Sequence, residues 1–325
     1  MRRSVLATKQ VADNPEERSF GSLNGHAVGR VLKETVRRAV VAIQNERTIF
    51  EAQGKESYAG KMDDVFTSAD TKAQQIYRRA IEECFPDWGI IGEEDALRVE
   101  PKNGCTVVAT IDPLDGTKAY VRRQSHGVGS MISVVDIATK EFLCAYVGDI
   151  NTDEVYGFRP GGVHVHRITK LDTVETLEYS NGKRLINNAE LQQKHYALLR
   201  DPAEIYSHAT QAALKKFKGY EVSGGSIGIW FARLWKREVT ALFMLPGFET
   251  PWDSNPIIAI SKALGYTFFK PVAPNRAVAD DRWIEYIPEP VLETTRRDHE
   301  VLVMLPQDAT PLKAETLVGK ITREW

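Results

Sequence analysis

A short apolar run, Thr106 to Ile111 (TVVATI), leads directly into Asp112-Pro113-Leu114-Asp115-Gly116-Thr117. The run is rich in β-branched residues, and that composition predicts a strand. The strand must then enter a turn, because Pro113 fixes one φ angle and Gly116 permits a φ that other residues resist. A turn of this kind aims Asp112 and Asp115 at one point. A surface turn is the competing reading, since Asp-Pro and Asp-Gly are ordinary turn dipeptides.

Two adjacent carboxylates repel unless protons or cations intervene. Mg²⁺ takes oxygen ligands and commonly uses one or two carboxylates plus a substrate phosphate. The amides of Gly116 and Thr117 suit a phosphate oxygen, as backbone nests do. Upstream, Ile90-Ile91-Gly92-Glu93-Glu94-Asp95 sets three acids after an apolar pair, and alone it reads as a solvated acidic loop. Downstream, Pro251-Trp252-Asp253-Ser254-Asn255-Pro256 opens an apolar helix. There Asp253 is either an N-cap or a further acid for the cluster.

The rest of the chain is patterned like a soluble α/β protein. Hydrophobic residues make up 42% of the 325, and charged residues 26%. With 42 Lys plus Arg against 44 Asp plus Glu, the net charge is -2. That balance argues against a nucleic-acid polymer as partner. No apolar run approaches the ~18 residues of a membrane span, and no secretory signal is evident, so a cytoplasmic protein is expected. The three cysteines, Cys84, Cys105 and Cys144, suggest neither a disulfide framework nor a zinc ribbon and are expected as buried thiols.

Helical spacing of Val28, Val31, Leu32, Val36, Val40, Val41 and Ile43 predicts a helix from His26 to about Gln53. A second is predicted from Asp70 to Phe85, with Ile76, Ala80, Ile81 and Cys84 on one stripe. After TVVATI, the runs SMISVVDI, EFLCAYVGDI and EVYGF predict an antiparallel meander. Beyond about Gly162, helical stretches (Ala203 to Phe217, Ser226 to Lys236) alternate with strands (VTALFML, YTFF, EVLVML), suggesting an α/β layer. These shifts divide the chain into a poorly ordered segment 1–24, an α+β domain 25–165 and an α/β domain 166–325.

Together the motifs resemble the inositol monophosphatase family, a superfamily of metal-dependent, lithium-sensitive phosphatases. The matching pieces are Phe66-Thr67-Ser68-Ala69-Asp70, Gly92-Glu93-Glu94, Asp112-Pro-Leu-Asp-Gly-Thr117 and Trp252-Asp253. The resemblance implies the layered α/β/α/β/α sandwich of the inositol monophosphatase and fructose-1,6-bisphosphatase type. It implies that Glu93, Asp112 and the Leu114 carbonyl bind one Mg²⁺, and that Asp112, Asp115 and Asp253 bind a second. A third, weaker ion would lean on Glu93. Thr117, bonded to Asp70, would orient and deprotonate the attacking water. Gly116, Thr117, Gly225, Ser226 and Asp253 would contact a small phosphorylated metabolite. Homodimers are common in the family, so a dimer is a further expectation of the resemblance, as is lithium inhibition.

Two metals suit this chemistry, because one acidifies the attacking water and the other stabilises the leaving oxygen. No Cys or Ser nucleophile is then required, and no C-x5-R motif is present. Ser223-Gly-Gly-Ser-Ile-Gly228 reads either as an anion-facing helix N-terminus or as plain capping by Ser226.

Some positions depart from the family pattern. Ser254, Asn255 and Pro256 follow Trp-Asp where small residues are usual, and Asn255 reads as a substrate contact or a cap. Pro246 stands where inositol phosphatases carry a hydroxyl-binding acid, with Glu249 nearby as a substitute. The spelling D-P-L-D-G-T-K resembles the branch acting on 3'(2'),5'-bisphosphate nucleotides, yet the lysine often seen soon after G-S in that branch is missing. Histidinol phosphate and sugar phosphates are further alternatives. A degenerate, non-catalytic metabolite-binding member would be expected to lack a metal acid or Thr117, and this sequence has them all. His164 and His166 suggest a solvated strand face rather than zinc. Arg122 and Arg123 read as surface arginines or as attraction for an anionic substrate. Trp230, Phe231 and Trp235 read as core.

Overall fold

The computed structural model describes residues 20, 23–57, 60, 64–177, 195–273, 281–306 and 308. The segment 1–24 therefore lies outside it apart from residues 20, 23 and 24. Phe20 is buried, with its ring centroid 6.3 Å from that of Trp88. Helix α1 (Gly25–Glu46) starts where Asn24 Oδ1 accepts a hydrogen bond from the Ala27 amide. Val28, Leu32, Val36, Val40 and Ile43 are its buried stripe, while Val41 is 51% exposed. The helix ends short of Gln53 because the chain turns into a hairpin of β1 (Ala52–Lys55) and β2 (Asp64–Thr67).

Helix α2 (Ser68–Cys84) opens with a capping box between Thr67 and Asp70. Its buried stripe is Ala69, Ala73, Tyr77 and Ile81, rotated from the one the sequence suggests. Tyr77 goes inward because its hydroxyl pairs with Ser130 Oγ at 2.7 Å, so its polar end is satisfied. Cys84 is exposed as a result. Cys105 is half-buried and Cys144 buried, so only one of the three thiols is in the core, and all three are free.

The first sheet contains β3 (Gly89–Gly92), β4 (Arg98–Val99), β5 (Val107–Asp115), β6 (Gly129–Asp136), β7 (Glu141–Asp149), β8 (Val155–Phe158), β9 (Val165–Ile168) and β10 (Val174–Leu177). A short helix α3 (Thr117–Val121) follows β5. The spatial order is β10-β9-β8-β7-β6-β5-β3-β4, and the predicted meander is β6 to β8. The boundary suggested near residue 165 falls at the start of β9, so this sheet runs on to Leu177.

The second sheet has the order β12-β11-β13-β18-β15-β16. Its parts in chain order are β11 (Tyr196–Leu199), α4 (His208–Leu214), β12 (Gly219–Val222), α5 (Ile227–Trp235), β13 (Ala241–Met244), β14 (Gly247–Glu249), α6 (Pro251–Ala263), β15 (Thr267–Pro271), β16 (Trp283–Tyr286), β17 (Thr295–Arg297) and β18 (Val301–Met304). Strands β14 and β17 pair apart from it as a ribbon. The helix predicted over 203–217 is shorter, because Ser207 turns its amide and hydroxyl to the buried Glu300 carboxylate, each at 2.6 Å.

Strand alternation sets the layers. On β6 and β7, Ser130 and Gly148 face α2 and α1, while Gly129, Met131 and Val147 face α5. On the second sheet, Leu198, Leu242, Phe268 and Val303 join the main core, whereas Leu199, Phe243, Phe269 and Leu302 form a second core with α4. The result is the expected α/β/α/β/α stack. Trp230, Phe231 and Trp235 are core residues of the middle helical layer. Among the described residues, no helix is long and apolar enough to cross a membrane.

Candidate active site

Strands β3 and β5 are parallel, so their C-terminal ends reach the same edge of the sheet. The Glu93 amide donates to the Ile111 carbonyl at 3.2 Å, which sets Glu93 beside Asp112. The pairing of β5 with β6 loses register between Asp112 and Asp115, as expected where Pro113 cannot donate to the ladder. Gly116 then adopts φ +87°, and a Cβ there would lie 2.4 Å from the Gly127 carbonyl oxygen. Only glycine fits that position.

Asp253 reaches the same point from the second half of the chain. Thr250 caps α6 by accepting from the Asp253 amide, and its hydroxyl donates to Asp253 Oδ2 at 2.8 Å. Pro251 occupies the first turn, which suits its fixed φ. Asn255 pairs through its side chain with the Val291 backbone, accepting at 2.7 Å and donating at 2.7 Å, so it acts as a tie between segments.

Asp112, Asp115 and Asp253 each offer an oxygen within 4.8 Å of the others. Oδ1 of Asp112 is buried and has no hydrogen-bond partner. Burial pushes the Asp112 carboxyl well above its ordinary value, and Glu93, Asp115 and Asp253 add to the shift. Asp115 is pushed up to about 6 by burial and Asp253, against the pull of Ser226, Gly228 and Ile227. Burial also raises Asp253, offset by the Thr250 hydroxyl, Asp112 and the charges of Arg200 and Lys55. A buried oxygen without a donor, among acids that disfavour ionisation together, suits a hard divalent cation. The donor set fits Mg²⁺.

The family model for the inositol monophosphatase family matches residues 26–299. The chain belongs to the inositol monophosphatase family. A curated relative, the Nus factor SuhB of Xylella fastidiosa, is 33% identical over 63 residues, which are 19% of this chain and 22% of that protein. The matched stretch is thus a small part of that relative's length. Inositol monophosphatase-II from Staphylococcus aureus superposes with TM-score 0.61 at 13% identity, covering 89% of this chain and 93% of that one. An IMPase/NADP phosphatase solved with Mg²⁺ and phosphate gives 0.59 at 13%, covering 91% and 99%. At such identity the likeness is one of fold.

The remaining residues singled out by the family resemblance fall around this cluster. Thr117 Oγ1 is 3.2 Å from Asp70 Oδ1 and 2.9 Å from the Leu114 carbonyl oxygen. Its single proton serves one of them at a time. Asp70 is fully buried, and burial pushes it up to about 6 although Thr67 donates to it. Ser226 caps α5 by accepting from the Ile229 amide and donates its own proton to Asp115. The Ile227 and Gly228 amides also donate to Asp115, at 3.1 and 2.7 Å. The start of α5 thus holds the Asp115 carboxylate, with Ser226 both capping the helix and bonding that acid. Gly225, at φ +101°, lets the loop before α5 press against Gly127.

Sequence reasoning missed Lys55. Its Nζ donates to Glu93 Oε1 and Glu94 Oε1, both at 2.8 Å. Burial works against the lysine charge, but the two glutamates outweigh it and raise its pKa. Glu93 is itself pushed up to about 8 by burial, against the pull of Lys55. A lysine in a polar hairpin carries no local signal of such a contact. Thr250 was also missed, although Thr before Pro at a helix start is a recognisable cap. His164, just before β9, and His166, on it, lie with ring centroids 6.3 Å apart. Among the described residues, the one metal-competent group is the Asp112, Asp115 and Asp253 cluster.

Proposed function

We propose that the protein is a Mg²⁺-dependent phosphomonoesterase acting on a small phosphorylated metabolite. The observation that carries this reading is the buried, unpartnered Asp112 Oδ1 within a three-carboxylate cluster at the base of a cleft of about 880 Å³. Asp112, Asp115 and Asp253 would hold one ion, and Glu93, Asp112 and the Leu114 carbonyl another. Bound there, Mg²⁺ supplies Lewis-acid charge to phosphate oxygens and lowers the pKa of a water.

The chain's own residues do the positioning. Thr117 Oγ1 orients the water, and the ionised form of Asp70, whose carboxyl burial raises to about 6, accepts a proton through it. Ser226 and the first amides of α5 favour the ionised form of Asp115 against burial and fix its orientation. SaIMPase-II has been solved with inositol monophosphate and with 2'-AMP bound, and small esters of this kind are the substrates this reading favours. Bisphosphate nucleotides and histidinol phosphate are the alternatives.

The test is phosphate release from inositol 1-phosphate, 3'-phosphoadenosine 5'-phosphate, histidinol phosphate and fructose 1,6-bisphosphate, with Mg²⁺ and with EDTA. Release that needs Mg²⁺ and falls more than about a hundredfold in Asp112→Asn supports the reading, since even residues behind a metal ligand cost 10–100-fold. Release that survives EDTA sinks it. A second reading, a non-catalytic binding member, is favoured by one observation: Lys55 Nζ lies on Glu93, where a cation would otherwise sit. Folded protein that binds Mg²⁺ but releases nothing would put that reading first.

A further inference from the structure

The cleft above the cluster is far larger than a phosphate group requires, at about 880 Å³. One wall is built from three segments locked through their backbones. The Ser223 amide donates to the Leu199 carbonyl at 2.9 Å, which places Arg200 next to the Ser223–Gly225 loop. The Ser226 amide donates to the Gly127 carbonyl at 2.8 Å, which sets the segment from Arg122 to Gly127 against the other side of that loop. Arg122 and Arg200 both line the cleft, and both are exposed to it.

The other cations of the cleft are engaged. Lys118 stands 3.7 Å from Asp64. Arg297 donates to Glu249 and to the Leu245 carbonyl, each at 2.7 Å. Glu249 is thereby tied up, so it is a poor acceptor for substrate hydroxyls. Among the described residues the guanidinium groups of Arg122 and Arg200 make no ion pair, and Arg200 is close enough to Asp253 for its charge to act there. A guanidinium presents five donors and no acceptor, in a fork that matches phosphate or carboxylate.

We propose that the cleft takes a phosphate ester bearing a second anionic group, a phosphate or a carboxylate, held at the rim by Arg200 and Arg122. The ester half of the substrate rests on the phosphatase reading, and the rim half does not. The experiment is calorimetric binding, in Mg²⁺ buffer, of phosphonates that cannot be turned over. Propylphosphonate is compared with 3-phosphonopropionate and propane-1,3-bisphosphonate, and the six-carbon analogues repeat the comparison at a longer reach.

At one length or both, the second anion tightens Kd about tenfold in the wild-type chain, as charge-assisted hydrogen bonds do. In Arg200→Gln and Arg122→Gln that ratio falls towards one. Which of the two anions gains more names the source. No gain at either length, or an equal weakening of all ligands in the variants, overturns the proposal. Phosphate release is scored separately: a rim that discriminates in a protein that hydrolyses nothing leaves this inference standing and removes the phosphatase.

Discussion

Gly116 joins backbone strain to chemistry. Its positive φ lets Asp115 end one strand while Thr117 begins a helix, and the Gly127 carbonyl sits where a Cβ would be. Gly116→Ala is expected to cost roughly 1–3 kcal/mol for the strained backbone alone, before the clash is counted. Chemical denaturation reads the loss, and metal affinity should fall with it because Asp115 and Thr117 move together. Unchanged stability would show that the turn relaxes freely. This residue was legible in the sequence: Asp-Pro-Leu-Asp-Gly-Thr specifies the turn, its acids and its glycine within one short window. Lys55 was not legible, because its partners Glu93 and Glu94 lie far along the chain and only the folded hairpin brings them to it.

The first turn of α5 was legible as a helix start but not as a clamp. Ser226 is buried and serves two ends at once, the Ile229 amide and the Asp115 carboxylate. Ser226→Ala removes a cap worth about 1 kcal/mol and frees Asp115 to turn. We expect a modest drop in thermal stability and a larger drop in Mg²⁺ affinity, both read by melting the variant across a Mg²⁺ titration. Affinity equal to that of the parent would mean that the α5 amides alone suffice. Other elements were partly hidden for physical reasons. Strand β12 is exposed along most of its length, so no apolar alternation marks it. In α2 the buried stripe was misplaced because Tyr77, polar at its tip, proved a better core residue than Ile76 once Ser130 met its hydroxyl.

The molecule as a whole closes one layered stack around a charge problem. Asp112, Asp115, Asp253 and Glu93 come from both halves of the chain and are crowded where burial disfavours ionisation, most of all at Asp112, which the other three push further up. Their carboxyls are raised in the fold, so they stabilise it at low pH, where both states are protonated, only relative to higher pH. That contribution is lost as pH rises through the folded values, about 6 for Asp115 and about 8 for Glu93. Metal-free protein should therefore melt at lower temperature as pH climbs from ~5 to ~8. Mg²⁺ should cancel the trend, adding about 2.7 kcal/mol at a hundredfold excess over Kd. Scanning calorimetry with Mg²⁺ and with EDTA checks this, and a gap that narrows towards pH 8 would contradict it. Such coupling was beyond the sequence, because burial sets the size of each shift and burial belongs to the assembled layers.

Under the proposed function, Mg²⁺ bound at the carboxylate cluster is what enables phosphate release. The most direct test follows both in one titration: Mg²⁺ bound and the initial rate of phosphate release from the best substrate of the panel, for the wild-type chain and Asp112→Asn. In the wild-type chain the rate is expected to rise in step with occupancy, and Asp112→Asn is expected to lose both. A rate that saturates before any ion binds, or an Asp112→Asn variant that hydrolyses at the wild-type rate, would contradict it.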